Sequence, residues 1–355
     1  MRVLVTGGAG FIGSHVVDQL VERGHEVAVL DRLHPFAHAG PPDYLNDGAH
    51  YAWRDLTDDA AVRDAVVGID AVCHHASMVG LGRDFTDVDS YVRDNDLGTA
   101  LLLRALHEGG FAGRIVLASS MVIYGEGQYR CATHGRVRPA PRTPSAIARG
   151  QFDPPCPGCG RPLTPEPISE DVPSDPRSVY AATKLHQEHL CAAFGHEHGV
   201  SVTRLRYHNV YGPRMPAQTP YAGVASIFRS SVASGTAPQV LEDGDQLRDF
   251  VDVRDVAHAT VLALERPETY GGALNIGSGH PHTIWQLALA LTRRASGDLT
   301  PAVLGGARAG DVRHIFGATA RARAILGYQA SIPFEEGVAD FAQVPLRTRV
   351  VPRVR

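Results

Sequence analysis

The stretch Gly7-Gly-Ala-Gly-Phe-Ile-Gly13 restricts the fold of this chain more than any other. Its neighbours make it informative. Arg2-Val-Leu-Val-Thr6 before it is a short apolar, β-branched run that reads as a buried strand. After it, Val16, Val17, Leu20 and Val21 have helical spacing over Ser14 to Arg23. Strand, glycine turn and helix together form the setting of a dinucleotide fingerprint. Gly7, Gly10 and Gly13 let the backbone approach a pyrophosphate, which sits on the helix N-terminus with Phe11 and Ile12 as further contacts. A second strand, Glu26-Val-Ala-Val-Leu30, ends in Asp31, placed to bond a ribose 2′-hydroxyl and repel a 2′-phosphate. The cofactor expected is therefore NAD rather than NADP, with Arg32 as an opposing charge.

The alternation continues. Tyr51–Trp53 reads as strand, with Asp55 and Leu56 at its exit. Asp55 is either a contact to the adenine edge or the N-cap of a helix over 58–67. Asp70–His75 is another strand, left through Ala76 and Ser77; a His inside a strand is more often a satisfied interior group than a ligand. Residues 89–109 read as helix and Arg114–Ala118 as strand, with Ser119 and Ser120 at its carboxyl end. Repeated strand–helix units predict an α/β fold with a doubly wound, parallel Rossmann sheet, whose ligands sit at the carboxyl ends of the strands. A net charge of -4 without a basic stripe predicts no nucleic-acid partner, and no apolar run of 18 or more predicts a membrane span. The start does not read as a signal peptide, and five cysteines in 355 residues suit a reducing, cytoplasmic setting.

Tyr180 and Lys184 lie four apart, one turn from each other on a predicted helix over 178–198. An ammonium near a phenol favours the phenolate and brings it towards use as a base. With this pair, Asn95-Asp-Leu-Gly-Thr99, Ser119-Ser-Met-Val-Ile-Tyr-Gly125, Asn209-Val-Tyr-Gly-Pro213, Arg248-Asp-Phe-Val-Asp-Val-Arg-Asp255 and Asn275-Ile-Gly-Ser-Gly279, the chain resembles the extended short-chain dehydrogenases/reductases of the nucleotide-sugar epimerase type. The resemblance runs over about residues 1–330 and implies a catalytic triad of Ser120, Tyr180 and Lys184. It also implies cofactor contacts at Leu56, His75, Ala76, Ser77, Asn95 and Tyr207 besides the glycine loop. Substrate contacts are implied at Val79, Gly80, Met121 and Asn209, and at Arg248 and Arg313, whose guanidinium forks suit a diphosphate. For the two arginines, surface pairing with Asp249 or Asp311 is the alternative. A homodimer through the helices around 89–109 and 178–198 is implied as well.

Residues 126–170 interrupt the family pattern and show no helical or strand period. They carry Cys131-Ala-Thr-His134 and Cys156-Pro-Gly-Cys159, two knuckles of x₂ spacing separated by 21 residues. That spacing suits a closed, structural Cys₃His zinc site; a Cys156–Cys159 disulfide and free thiols are the other readings. The insertion and the segment Val79-Gly-Leu-Gly82 resemble those of bacterial dTDP-L-rhamnose 4-epimerases. The organisation expected is a dinucleotide-binding part at 1–125 and 171–208, the Cys/His insertion at 126–170, a smaller C-terminal nucleotide-sugar lobe at 209–345 and a loose tail at 346–355.

The activity expected from the resemblance is 4-epimerisation through a 4-keto sugar, with hydride held by NAD between removal and return. Met121 and Val122 stand where a 4,6-dehydratase would need an acid and a base. A UDP-glucuronate 4-epimerase or decarboxylase, a 4-ketoreductase and a non-catalytic NAD-binding protein remain open.

Overall fold

The computed structural model describes residues 1–35, 37–80, 84–217, 223–294, 299–307 and 311–347. Among these, seven strands form one sheet in the order Ala273–Ile276, Ser201–Tyr207, Arg114–Ser120, Ala71–His74, Arg2–Thr6, Glu26–Leu30, Ala49–Ala52. Every neighbouring pair is parallel. The sheet order turns back at Arg2–Thr6, which pairs Val3 with Val27 on one side and with Ala71 on the other. A crevice at the carboxyl ends of the strands is expected at such a switch point.

Alternation along the first strand explains the layers. Val3 and Val5 point into one apolar cluster, with Val16, Val17 and Leu20 of the helix Phe11–Glu22 and Val256 of the helix Val253–Glu265. Leu4 points the other way, into a cluster with Val72, Ile115, Leu102 and Leu106. A parallel strand covered on both faces has no polar side, so it reads as a continuous apolar run. The predicted helix over 89–109 runs from Val88 to Glu108 with a π-helical turn at Val92–Leu97, and the predicted 178–198 helix spans Val179–His198 behind its cap Ser178. The N-cap of the helix Asp59–Ala65 is Asp58, not Asp55; Asp55 instead binds the Thr57 N–H and hydroxyl and closes the turn before it.

Beyond Tyr207 the chain builds a second, smaller core. Asn209–Tyr211, Leu247–Asp252 and Pro281–Thr283 form a small sheet. The helices Val224–Ala233, Ile284–Thr292 and Phe334–Gln343 close over it around Phe250, Leu287, Val338 and Phe341. Leu346 and Arg347, expected in a loose tail, are instead held in place. Leu346 packs on this core, and Arg347 donates its N–H to Met215 O (2.9 Å) and accepts from Ala217 N (2.9 Å). Residues 348–355 lie outside the described residues.

The insertion also differs from its expectation. Gln128–Cys131, Gly135–Val137 and Thr164–Glu166 form a three-stranded antiparallel sheet, and Pro144–Ala148 is a short helix capped by Thr143. Strands of three or four residues are too short to show a period in sequence. Among the described residues, no helix is long and apolar enough to cross a membrane.

Candidate active site

The glycine loop is packed too tightly for side chains. Gly7 has φ +71°, and a Cβ there would lie 2.7 Å from Ala76 N; one at Gly13 would lie 2.3 Å from Gly7 O. Gly10 is the N-cap of the helix Phe11–Glu22 and supplies no side-chain cap, the arrangement in which a phosphate takes the first-turn N–H groups. Ile12 packs under the sheet and Phe11 reaches the second core. Asp31 receives N–H bonds from Ala9 (3.0 Å) and Leu33 (2.8 Å); burial raises its pKa against the pull of these bonds and of nearby Arg347 and Arg32. Arg32 is turned from the glycine loop towards Asp55 (2.9 Å) and Asp94. The residues present therefore fit a dinucleotide with an unphosphorylated ribose.

Several expected cofactor contacts are bracing groups. Asn95, fully buried in the π-helical turn, accepts from Met78 N (2.7 Å) and Ser77 Oγ (3.0 Å) and donates to Met78 O and Thr183 Oγ1. Leu56 belongs to the core under Gly98. Tyr207 bonds Thr260 (2.7 Å) and His75 (3.2 Å). His74 is the satisfied interior histidine expected, held between Thr6 Oγ1 (2.7 Å) and Thr99 Oγ1 (2.9 Å), with burial holding its pKa down at about 3.

Ser120 ends its strand beside the helix that carries Tyr180 and Lys184, and its Oγ accepts the Val122 N–H (3.3 Å). Burial pushes Tyr180 up to about 12 against the opposing pull of the Ser120 side chain, and pulls Lys184 down to about 8. Lys184 exerts no resolved pull on Tyr180; its ammonium donates to Gln187 Oε1 (2.7 Å). Gln187 then donates to Thr99 Oγ1 (2.8 Å), so a buried polar chain runs from Thr6 through His74, Thr99 and Gln187 to Lys184. Nothing in the sequence marked Gln187, because its acceptors Thr99 and Asn95 are 88 and 92 residues away. Tyr91 was missed as well: its ring lies 6.2 Å from that of Tyr180, and its hydroxyl donates to Gly80 O (2.8 Å). Val79 and Gly80 thus flank Tyr91, the ring neighbour of Tyr180, while Leu81 and Gly82 of that motif lie outside the described residues.

On the substrate side, Met121 packs with Ile123, Tyr124, Ile168 and Ile315. Asn209 is half-buried, and its Oδ1 has no hydrogen-bond partner among the described residues. The two arginines depart from both sequence readings. Arg248 spends its fork on the carbonyls of Leu247, Val312 and Arg313. Arg313 is 1% exposed and is held by Asp153 (2.7 Å), Glu242 (2.8 Å) and Asp243 (2.6 and 2.8 Å). Its charge is already compensated, so it is an internal tie rather than an open diphosphate clamp. Asp249 pairs with neither and holds the turn at Ser278 and Gly279.

In the insertion, Cys131, His134, Cys156 and Cys159 converge, with all four ligand atoms within 4.8 Å of one another. Cys131 Sγ lies 3.7 Å from Cys159 Sγ and 3.6 Å from His134 Nδ1, and Cys156 Sγ lies 3.4 Å from the same nitrogen. A tetrahedral zinc with bonds of about 2.3 Å to sulfur and 2.0 Å to nitrogen needs edges of roughly 3.8 and 3.5 Å. The backbone N–H groups of His134 and Thr133 hold the Cys131 thiol down at about 6, towards the metal-binding thiolate.

Residues 3–153 and 158–277 match the NAD dependent epimerase/dehydratase family. A dTDP-L-rhamnose 4-epimerase of Burkholderia thailandensis is 33% identical over 345 residues, covering 96% of this chain and 93% of that protein. The structure of a UDP-glucose 4-epimerase of Thermus thermophilus in complex with NAD is 31% identical, with a TM-score of 0.75 and coverage of 96% and 98% of the two chains. That of a UDP-glucose 4-epimerase of Thermotoga maritima with UDP-glucose is 28% identical, with a TM-score of 0.78 and coverage of 97% and 98%. The parallel sheet, the glycine loop at its switch point and these likenesses agree: the chain belongs to the NAD-dependent epimerase/dehydratase family of nucleotide-sugar enzymes.

Proposed function

We propose that this protein is an NAD-dependent nucleotide-sugar 4-epimerase, with a dTDP-6-deoxy-L-hexose such as dTDP-L-rhamnose as substrate. The observation that carries the reading is the placement of Ser120 at the carboxyl end of a strand that shares its sheet with the glycine loop, beside the helix that carries Tyr180 and, one turn on, Lys184. Bound NAD would supply the hydride acceptor and, later, the donor. Tyr180 Oη takes the proton of the sugar C4 hydroxyl and gives it back; Ser120 Oγ holds the same oxygen as hydroxyl and as ketone. Lys184 lies one turn from Tyr180 with its ammonium on Gln187; turned onto the phenol, that charge would favour the phenolate. Met121 and Val122 carry no proton, which supports return of hydride at C4 over elimination. The 33% identity to a dTDP-L-rhamnose 4-epimerase supports the sugar.

In this reading 1–125 and 171–208 bind NAD and 209–345 bind the nucleotide sugar, with Asn209 as a diphosphate contact. Segment 126–170 holds one structural zinc on Cys131, His134, Cys156 and Cys159, supported by the fit of their spacings. Exposed Phe85, Val92 and Leu97 support a homodimer through the helix over 88–108, which light scattering would show. The function is tested by incubating the protein with a panel of nucleotide sugars without added reductant and identifying products by NMR. Inversion at C4 is expected; loss of a carboxyl carbon, or product only when NADH is supplied, would replace the reading by a decarboxylase or a ketoreductase.

A further inference from the structure

Arg347 comes from the far end of the described chain, yet its side chain ends at the glycine loop. Its Nη1 donates to Tyr44 Oη (2.8 Å) and lies 3.4 Å from Ala9 O, and Tyr44 Oη donates to the same carbonyl (2.9 Å). Ala9 sits between Gly8 and Gly10, and its own N–H is held by Asp31. Three separate segments therefore meet on one peptide of the cradle.

They are fixed from behind. The Arg347 backbone is bonded on both sides, to Met215 and Ala217. Arg214 lies over the Tyr44 ring at 4.7 Å and bonds Asp18 (2.7 Å) in the glycine helix. Two further facts point to a ligand. Arg347 Nε is buried without a hydrogen-bond partner among the described residues, so its guanidinium keeps one donor uncompensated beside the loop. Arg32, the other arginine that pulls on Asp31, is committed to Asp55 and Asp94.

We propose that Arg347 is a positioning residue that latches the adenosine-ribose end of the cofactor site and sets how long the bound dinucleotide stays. The proposal rests on the NAD reading above. Its Nη1 holds Tyr44 against the Ala9 carbonyl, and its charge helps Asp31 remain a carboxylate for the ribose diol. An enzyme that removes and returns the same hydride has no need to exchange its cofactor during turnover. A closed latch at the ribose end is compatible with that cycle, and an open one would make activity depend on free NAD.

The test compares wild type, Arg347→Ala, Arg347→Lys and Tyr44→Phe, all loaded with NAD. Release of bound NAD is followed after mixing with excess labelled NAD. Loss of a charge-assisted bond should speed release at least about tenfold in Arg347→Ala, with partial recovery in Arg347→Lys and a smaller change in Tyr44→Phe. Turnover of Arg347→Ala should become dependent on added NAD and be restored by saturating it, which a poorly folded variant would not show. Wild type that holds NAD, with Arg347→Ala holding it as long, overturns the latch alone. Wild type that neither carries nor takes up NAD overturns the functional reading itself.

Discussion

The seven-stranded sheet buries Val3, Leu4, Val5 and Val72 completely between two layers of helices, whereas segment 126–170 buries few apolar side chains, Tyr129 and Ile168 among them. What the insertion has instead is polar. Its four sulfur and nitrogen atoms converge at one end, and its Asp153 and Arg142 reach the buried cluster of Arg313 and Glu242 at the other. The core is held by the hydrophobic effect, which acts between any well-packed apolar faces. The insertion depends on a few directional contacts, so the loss of one is expected to remove much of its order. Chemistry and local order should therefore fail separately when each region is damaged.

The largest effect is expected from the four residues proposed to hold zinc. Structural zinc contributes an apparent affinity of about 10–16 kcal/mol in small zinc domains. Cys156→Ser with Cys159→Ser should abolish one equivalent of zinc and expose residues 130–165 to protease, while the sheet keeps its cooperative unfolding. KM should rise more than kcat falls. Elemental analysis of wild type gives the direct check, and absence of metal together with two thiols missing without reductant would establish the disulfide instead.

Next comes the other anchor. Arg313→Met leaves three carboxylates without their cation, although Arg142 still holds Glu242 (2.7 Å). A loss of about 3 kcal/mol in urea unfolding is expected, the lower end for a broken buried pair. Unchanged stability with a large rise in KM for the nucleotide sugar would restore Arg313 as a diphosphate ligand.

On the chemical side, Tyr180→Phe keeps the ring and removes the proton acceptor. Turnover should fall by at least about 10²-fold, with zinc content and NAD content unchanged. Near-normal turnover would remove Tyr180 from the mechanism.

The smallest effect is in the shape of the pH profile. The reacting form pairs a Tyr180 phenolate with a Lys184 ammonium, but burial places Lys184 at about 8 and Tyr180 at about 12. The fraction in that form grows with pH while Lys184 stays charged, then levels above about 8, where loss of the ammonium offsets loss of the phenol proton. kcat/KM should rise to about pH 8 and flatten. In Lys184→Met the residual rate should keep rising past that point, and an unchanged break would assign it to another group.

The same contrast explains what the sequence revealed. The glycine loop, Asp31, Ser120, Tyr180 and the two Cys/His knuckles are legible because each depends on spacing within one strand, turn or helix. Asn95 was legible by its motif, but its place in a π-helical turn was not. Arg313 was misjudged because its carboxylates come from residues 153, 242 and 243, and an arginine meeting distant acids looks the same in sequence as one awaiting a diphosphate. Gln187 and Arg347 were invisible for a related reason: their partners Thr99 and Ala9 are 88 and 338 residues away. The insertion's sheet escaped because three-residue strands such as Gly135–Val137 carry no period.

The most direct test of the account is the fate of the C4 hydrogen. A nucleotide-linked 6-deoxyhexose labelled with deuterium at C4 is incubated with the NAD-loaded protein in ordinary water, and the product is read by NMR. The account predicts a C4-inverted sugar that keeps its deuterium at C4, with no net NADH formed or used. Inverted product that has lost the label to solvent, or product formed only in step with NADH consumption, would contradict it.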